Sequence, residues 1–390
     1  MKILFMEWKS LGQTDLAEEF GRRGWEVVYF PFPRETENTR LNQNLCEKLV
    51  RNIASDQYDF VFSFNYFPVI SIACNACRVK YVSWTFDSPF IQLYSNTIKF
   101  PYNYAFVFDK GTCEDLWTQG IDTIYHLPMA APVERYDAYF VTEAERKFYH
   151  TDISFIGSTY QEKKNRFYEK LEGIDAYTKG YLDGCIQTQK RIYGEFFLER
   201  MLEPAIMEDI MRHCPLEVNR DGFERLEWVY ANYFLARQVT ALERKEILAL
   251  LSRKYSVDLY TYEDTPELPG VRNRGTAEVM KEAPVIYRSS RINLNITLKS
   301  IWSGIPLRSF EIMGSQGFLL SNYQREYGDY FDNGVDYVYY ADYADLEKKV
   351  EYYLTHDKER REIAENGYQK IRKYHTYRNR VDTILEIISK

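Results

Sequence analysis

The sequence of 390 residues lacks any apolar run of about 18 residues, so no bilayer span is expected. It also lacks a block of basic residues. Its 50 Lys and Arg are outnumbered by 57 Asp and Glu, and a net charge of −7 argues against nucleic acid as the main partner. HExxH and HxxxH are both absent. Of the five histidines, His126 lies before the domain crossing, His213 in a helical insertion, and His150, His356 and His375 have no partner spacing, so a metal-hydrolase reading is poor and no metal ligand is expected. No GxGxxG or Walker loop stands in the right context, which removes the dinucleotide and ATP-hydrolase readings. The six cysteines are scattered, and the lone CxxC of Cys74 and Cys77 has neither a second pair nor a nearby His. A reduced, cytoplasmic protein is the simplest reading. The opening MKILFMEWKSLG sets Glu7 and Lys9 too early for a signal peptide's apolar core. Repeats of solenoid length and low-complexity tracts are missing too.

What remains is an ordinary globular composition, 45% apolar and 27% charged, long enough for two or three domains. Tyrosine is abundant, at 34 residues. Such rings pack with a wet hydroxyl, which suits both a core margin and carbohydrate contact.

Strand and helix patterns alternate through the first ~130 residues, as in a parallel sheet with helical crossovers. Strands are predicted at Lys2–Met6, Trp25–Phe30, Tyr58–Phe64, Tyr81–Trp84, Tyr104–Phe108 and Thr123–Leu127. Helices are predicted at Asp15–Arg23, Leu45–Ala54, Val69–Cys77 and Gly111–Gly120. The segment Pro128–Pro132 reads as an extended crossing into a second domain. Domains of 1–130 and 131–390 follow. Alternation restarts with a strand and turn at Asp152–Gly157, followed by a helix carrying Lys163, Lys164 and Arg166. It lapses over an all-helical insertion, about 173–251, and resumes with strands at Val257–Tyr260, Val271–Arg274, Ile292–Ile296, Phe318–Leu320 and Tyr337–Tyr339. A helix over Leu346–Tyr374 closes the pattern. The fold class is α/β, with two doubly wound domains and ligands expected at the carboxyl ends of strands.

Several groups at those ends can carry chemistry. Gly157 and Ser158 stand at a strand–helix turn where free N–H groups can hold a diphosphate, with Lys163 adding charge. Arg274 and Gly275 follow a strand, and Gly275 lets a base approach the backbone. Arg308, Ser309 and Glu311 open a short amphipathic helix. Arg308 is a fork donor for phosphate, and Glu311 is an acceptor suited to a ribose diol. Asp87, after Trp84–Phe86 and before Ser88–Pro89, is a candidate base or sugar-orienting carboxylate. Glu7 is the weaker alternative base.

In this order the pieces resemble the CgeB/YkvP-type spore-protein family of glycosyltransferase-like proteins, similar to glycosyltransferase family 4 in the second half. The resemblance rests on Met1–Gly12, Tyr81–Pro89 and Phe106–Ala131. It continues at Asp152–Ser158, Ile292–Tyr339 and Ala364–Arg380, with RSFEIMGSQGFLLSN (308–322) matching best. It implies a GT-B fold, two Rossmann-like domains facing a cleft, with the nucleotide sugar held mostly by the second and no metal required. It also implies Gly157 and Ser158 by the diphosphate, Gly275 by the base and Glu311 by the ribose. The first of two glutamates usual in family 4 falls at Ser303 here.

The expected function is transfer of a sugar from a nucleotide-diphosphate donor, a UDP-sugar foremost, to a hydroxyl of a glycan or protein. The alternatives are a non-catalytic nucleotide-sugar-binding protein of spore-coat or cell-surface assembly, and a sugar epimerase on the same scaffold.

Overall fold

A computed structural model describes all 390 residues, in two compact units. The first comprises Met1–Met129, Glu217–Arg225 and Tyr377–Lys390, and the second Ala130–Leu216 and Leu226–Thr376. No helix is long and apolar enough to cross a membrane.

The first unit is one parallel sheet: β1 (Lys2–Glu7), β2 (Glu26–Pro31), β3 (Phe60–Phe64), β4 (Tyr81–Thr85), β5 (Asn103–Val107) and β6 (Ile124–His126), ordered β2-β1-β3-β4-β5-β6. β3 and β4 are buried at every position, as FVFSF and YVSWT require of strands covered on both faces. The helix Gln43–Ala54 shows how the crossovers form. Leu45, Leu49 and Ile53 recur every four residues and are buried, and the Asn42 side chain caps the Leu45 N–H at 3.0 Å.

The second unit is also one parallel sheet: β7 (Thr151–Ile156), β8 (Val257–Tyr260), β9 (Arg272–Asn273), β10 (Ser290–Asn295), β11 (Leu319–Asn322) and β12 (Val338–Tyr340). Its order, β12-β11-β10-β7-β8-β9, runs outward in both directions from the β7/β10 pair. That is the dinucleotide-fold order, and the pair is its topological switch point. In the first unit the corresponding reversal lies between β1 and β3.

The helical insertion has a core of its own around Leu182, Ile186, Ile206, Ile210 and Phe234. One long helical run joins it to the sheet. Leu226–Val229 leads through a π-helical turn, Tyr230–Leu235, into Ala236–Leu251. Val239 packs in the insertion core, whereas Ile247, Leu248 and Leu251 pack on the sheet with Phe155 and Leu294.

Four sequence expectations change. The helix expected after Gly157 is two 3-10 turns, Lys163–Asn165 and Phe167–Leu171. The buried Glu162 carboxylate accepts the Thr159 N–H and the Asn165 amide, so local bonds hold a loop where an apolar stripe would hold a helix. The expected Leu346–Tyr374 helix is two, Tyr343–Thr355 and Asp357–Tyr374, broken at His356. Helices Val133–Ala138, Glu143–Phe148 and Glu282–Ser289 form where none was predicted. Finally, Tyr377–Lys390 and Glu217–Arg225 cluster with the first unit rather than with residues 131–390. Trp84 against the Tyr377 ring at 5.9 Å, and Arg40 on Asp221 at 2.8 Å, are among the contacts that hold them.

Candidate functional site

At the switch point of the second unit, β7 ends at Ile156 and β10 at Asn295. Gly157 follows with φ +151, and the Arg308 guanidinium occupies the space a Cβ at residue 157 would need. Arg308 lies on the helix Leu307–Gly314 and is held from below. Its Nη1 donates to Asn295 Oδ1 at 2.9 Å, and it stacks on the Phe155 ring at 4.8 Å. The Gly157 N–H, expected to be free for a diphosphate, instead donates to the Tyr260 carbonyl at 3.0 Å, because β7 and β8 stay paired up to that residue. The phosphate-binding group at this turn is therefore the fixed Arg308 guanidinium.

A second guanidinium stands behind the first. Arg244, on Ala236–Leu251, is 3% exposed and donates to the carbonyls of Ser158 (2.6 Å) and Ile296 (3.2 Å). It thereby ties the loop after β7 to the loop after β10. Burial, and then the Arg308 charge, pull its pKa down to about 10. Beside it Glu243, fully buried, pairs with Lys299 at 3.4 Å and accepts from the Tyr193 hydroxyl. Burial lowers the Lys299 pKa against the opposing pull of Glu243. Sequence reasoning passed over Arg244, Glu243 and Lys299. The signal was Glu243, which interrupts the apolar series Val239, Ile247 and Leu251 at helical spacing.

Glu311 sits three residues beyond Arg308 on the same helix and is half-buried. It neighbours Tyr287, whose phenol is pushed well up by burial first and by Glu311 second, against the pull of Arg308. Ser309 is wholly buried, and its hydroxyl bonds the Tyr327 hydroxyl at 2.6 Å. Tyr327 in turn reaches Ser321 at 3.1 Å, and Asn295 reaches the same Ser321 at 3.0 Å. Ser309 therefore belongs to the polar network under Asn295 and presents no open hydroxyl. Ser158 Oγ accepts the Tyr160 N–H at 2.9 Å, which shapes the loop. Lys163 is exposed on its 3-10 turn, away from any helix start.

Arg274 and Gly275 follow the two-residue edge strand β9. The Arg274 guanidinium stacks on Phe148 at 4.5 Å and lies 3.9 Å from the buried Asp258. Gly275 has φ +76 and open space where a side chain would project. Only glycine adopts that turn without strain, and its bare backbone admits a flat ring.

In the first unit Asp87 follows β4. Its Oδ2 accepts from Arg34 at 2.6 Å and from Asn65 Nδ2 at 2.8 Å. Asn65, at the end of β3, also accepts the N–H groups of Phe86 and Asp87, at 2.9 and 3.2 Å. Arg34 stacks on Trp8 at 3.9 Å. The carboxylate is thus held by two donors, Arg34 and Asn65, both on Oδ2. Glu7 ends β1 and accepts from Gln13 at 3.3 Å. The loop between them carries buried polar atoms without partners in the chain, Trp8 Nε1, Ser10 Oγ and Gln13 Oε1.

The remaining candidates have structural places. His375 packs among Phe310, Phe331 and Tyr330 at 5.0–5.5 Å. Cys74 is buried and Cys77 half-buried, and burial pushes both thiols up, away from thiolate chemistry. No three His, Cys, Asp or Glu side chains are grouped to hold a metal ion.

Two parallel six-stranded sheets with their helices define the GT-B glycosyltransferase fold. A family model described as glycosyl transferase-like matches residues 240–386. HepE of Anabaena, solved in complex with UDP-glucose, superposes with a TM-score of 0.57 at 10% identity, covering 100% of this chain and 99% of that one. Sucrose-phosphate synthase of Thermosynechococcus elongatus gives 0.56 at 8% identity, covering 100% and 98%. A glycosyltransferase of Rickettsia africae gives 0.50 at 10% identity, covering 99% and 97%. No curated protein matches the sequence. The chain is glycosyltransferase-like in fold and in the sequence of its carboxy-terminal part.

Proposed function

We propose that the protein transfers a sugar from a nucleotide-diphosphate donor, a UDP-sugar foremost, to a hydroxyl of a glycan or protein acceptor without a metal ion. The observation that carries this reading is the contact of Arg308 with the bare backbone of Gly157 at the β7/β10 switch point. The UDP-glucose complex of HepE, on the same fold, supports it.

In this reading the diphosphate lies against Gly157 and Ser158 under Arg308, with Lys163 adding longer-range charge. Gly275 admits the base beside Arg274, and Glu311 accepts from the ribose diol. Ser309 acts from behind, through Tyr327 and the network that holds Asn295 and so Arg308. The acceptor oxygen bonds to the anomeric carbon as the bond to the diphosphate oxygen breaks. The charge arriving on the leaving UDP is met by Arg308, half-buried and already oriented by Asn295 and Phe155. The acceptor proton passes to a carboxylate, Asp87 before Glu7, or Asp87 instead orients the sugar. Membership of the spore-protein family and a cytoplasmic location belong to the same proposal.

The test is incubation of purified protein with UDP-sugars and mixed glycan or peptide acceptors, read by UDP release and product mass. A mass gain of one sugar on the acceptor is expected. UDP binding without turnover on any acceptor would instead favour the non-catalytic protein, and a converted donor of unchanged mass the epimerase.

A further inference from the structure

The second unit has a cavity of about 400 Å³ at the opposite end of its sheet from Gly157 and Arg308. It opens at the amino ends of β7 and β10, beside His150 and Ser290, below the first turn of Asp357–Tyr374. Strands of six residues separate the two ends by about 20 Å.

Its lining is strongly cationic. Arg146, Arg288, Arg291, Arg360 and Arg361 line it, against the single lining carboxylate of Asp357. Backbone carbonyls take up most donors of the buried arginines. Arg288 donates to Tyr136 (2.8 Å), Tyr139 (3.0 Å) and Ser315 (3.1 Å), and Arg360 to Tyr353 (2.8 Å). Carboxylates answer part of the charge: Asp137 pairs with Arg288 at 3.6 Å, Asp152 with Arg291 at 3.2 Å, and Asp357 with Arg360. Five guanidinium groups thus face three carboxylates, and the field in the cavity stays positive. The pKa of Arg360 is lowered by burial first, against the opposing pull of Asp357, and the neighbouring Arg291 and Arg361 push it down further. Arg361 is exposed and pairs with Asp357 at 2.8 Å, and the exposed Arg146 side chain has no partner in the chain. A further observation points to a ligand. Ser289 is 6% exposed, lines the cavity, and its hydroxyl has no hydrogen-bond partner. Buried hydroxyls are seldom left unpaired, and this one can donate to an anion held by the arginines.

We propose that this cavity binds the phosphate group of a small soluble phosphorylated ligand, as a site separate from the donor site. Its volume suits a ligand of one or two phosphates with a compact organic body.

The test uses the full chain and inorganic pyrophosphate, titrated by calorimetry. Arg146→Ala/Arg361→Ala alters two exposed side chains, so folding is expected to survive, as a thermal melt will verify. Pyrophosphate affinity should fall at least 10-fold in that variant, and Ser289→Ala should lower it as well. Pyrophosphate should still bind the wild type in the presence of saturating UDP. The proposal is overturned if the double variant binds pyrophosphate as the wild type does, or if UDP displaces the pyrophosphate. Wild-type protein that ignores pyrophosphate and glucose 6-phosphate but binds phosphatidylglycerol vesicles would overturn it equally.

Discussion

The guanidinium of Arg308 occupies the volume that a side chain on residue 157 would fill. Two residues 151 positions apart therefore make one surface, and a side chain at 157 would have to displace Arg308. Gly157→Ala should displace Arg308 and strain the backbone at φ +151, at a cost of about 1–3 kcal/mol. The expected outcome is UDP affinity at least 10-fold weaker, by calorimetry, in a protein that still folds.

Arg244 ties Ser158 to Ile296 from within the core. Arg244→Met keeps much of its volume but leaves two carbonyls without a donor. The loss should be about 1–3 kcal/mol for each buried acceptor left unpaired. Urea denaturation would read it, and an unshifted midpoint would refute the bracing role.

Glu311 stands one turn from Arg308. Glu311→Ala should weaken UDP binding by about 1–3 kcal/mol, the cost of a charged hydrogen bond. 2′,3′-Dideoxyuridine diphosphate, which lacks both ribose hydroxyls, should lose little further affinity in this variant. A full additional loss would place the diol elsewhere.

Asp87→Asn should spare UDP affinity and lower turnover. Its pairing with Arg34 is half-exposed and worth at most ~1 kcal/mol, so the fold should hold. Unreduced turnover would remove Asp87 from the reaction.

Asp221 links the short Glu217–Arg225 segment to its unit. Burial alone would raise its pKa, but hydrogen bonds from Ser95 (2.6 Å) and Arg40 (2.8 Å) bring it below the usual carboxylate range. A depressed native pKa adds stability that is present above the unfolded value, about 3.9, and is lost as pH falls through the native one. Stability of the wild type should therefore drop more steeply below pH ~4 than that of Asp221→Asn. Parallel acid limbs in urea titrations from pH 7 to 3 would contradict this.

Much of the fold was legible because strands and crossover helices are local patterns. FVFSF and YVSWT read as buried strands, and Leu45, Leu49 and Ile53 as one helix face, without reference to the rest of the chain. The loop after Gly157 was not legible. A run such as KKNRFYEKL looks helical until the buried Glu162 takes its neighbours' donors. Ser309 looked like a ligand-facing hydroxyl because its commitment to Tyr327 spans 18 positions.

The sequence by itself determined two alternating α/β halves, the helical insertion and the residues that end each strand. Tertiary structure alone decided strand order, and with it the switch point that joins Gly157, Asn295 and Arg308. It also decided that Arg244 is a brace, and that Tyr377–Lys390 packs with the first unit. The physical reason is range. Periodic burial is written in spacings of two and four residues, whereas a guanidinium finds its carbonyls only after distant segments have packed.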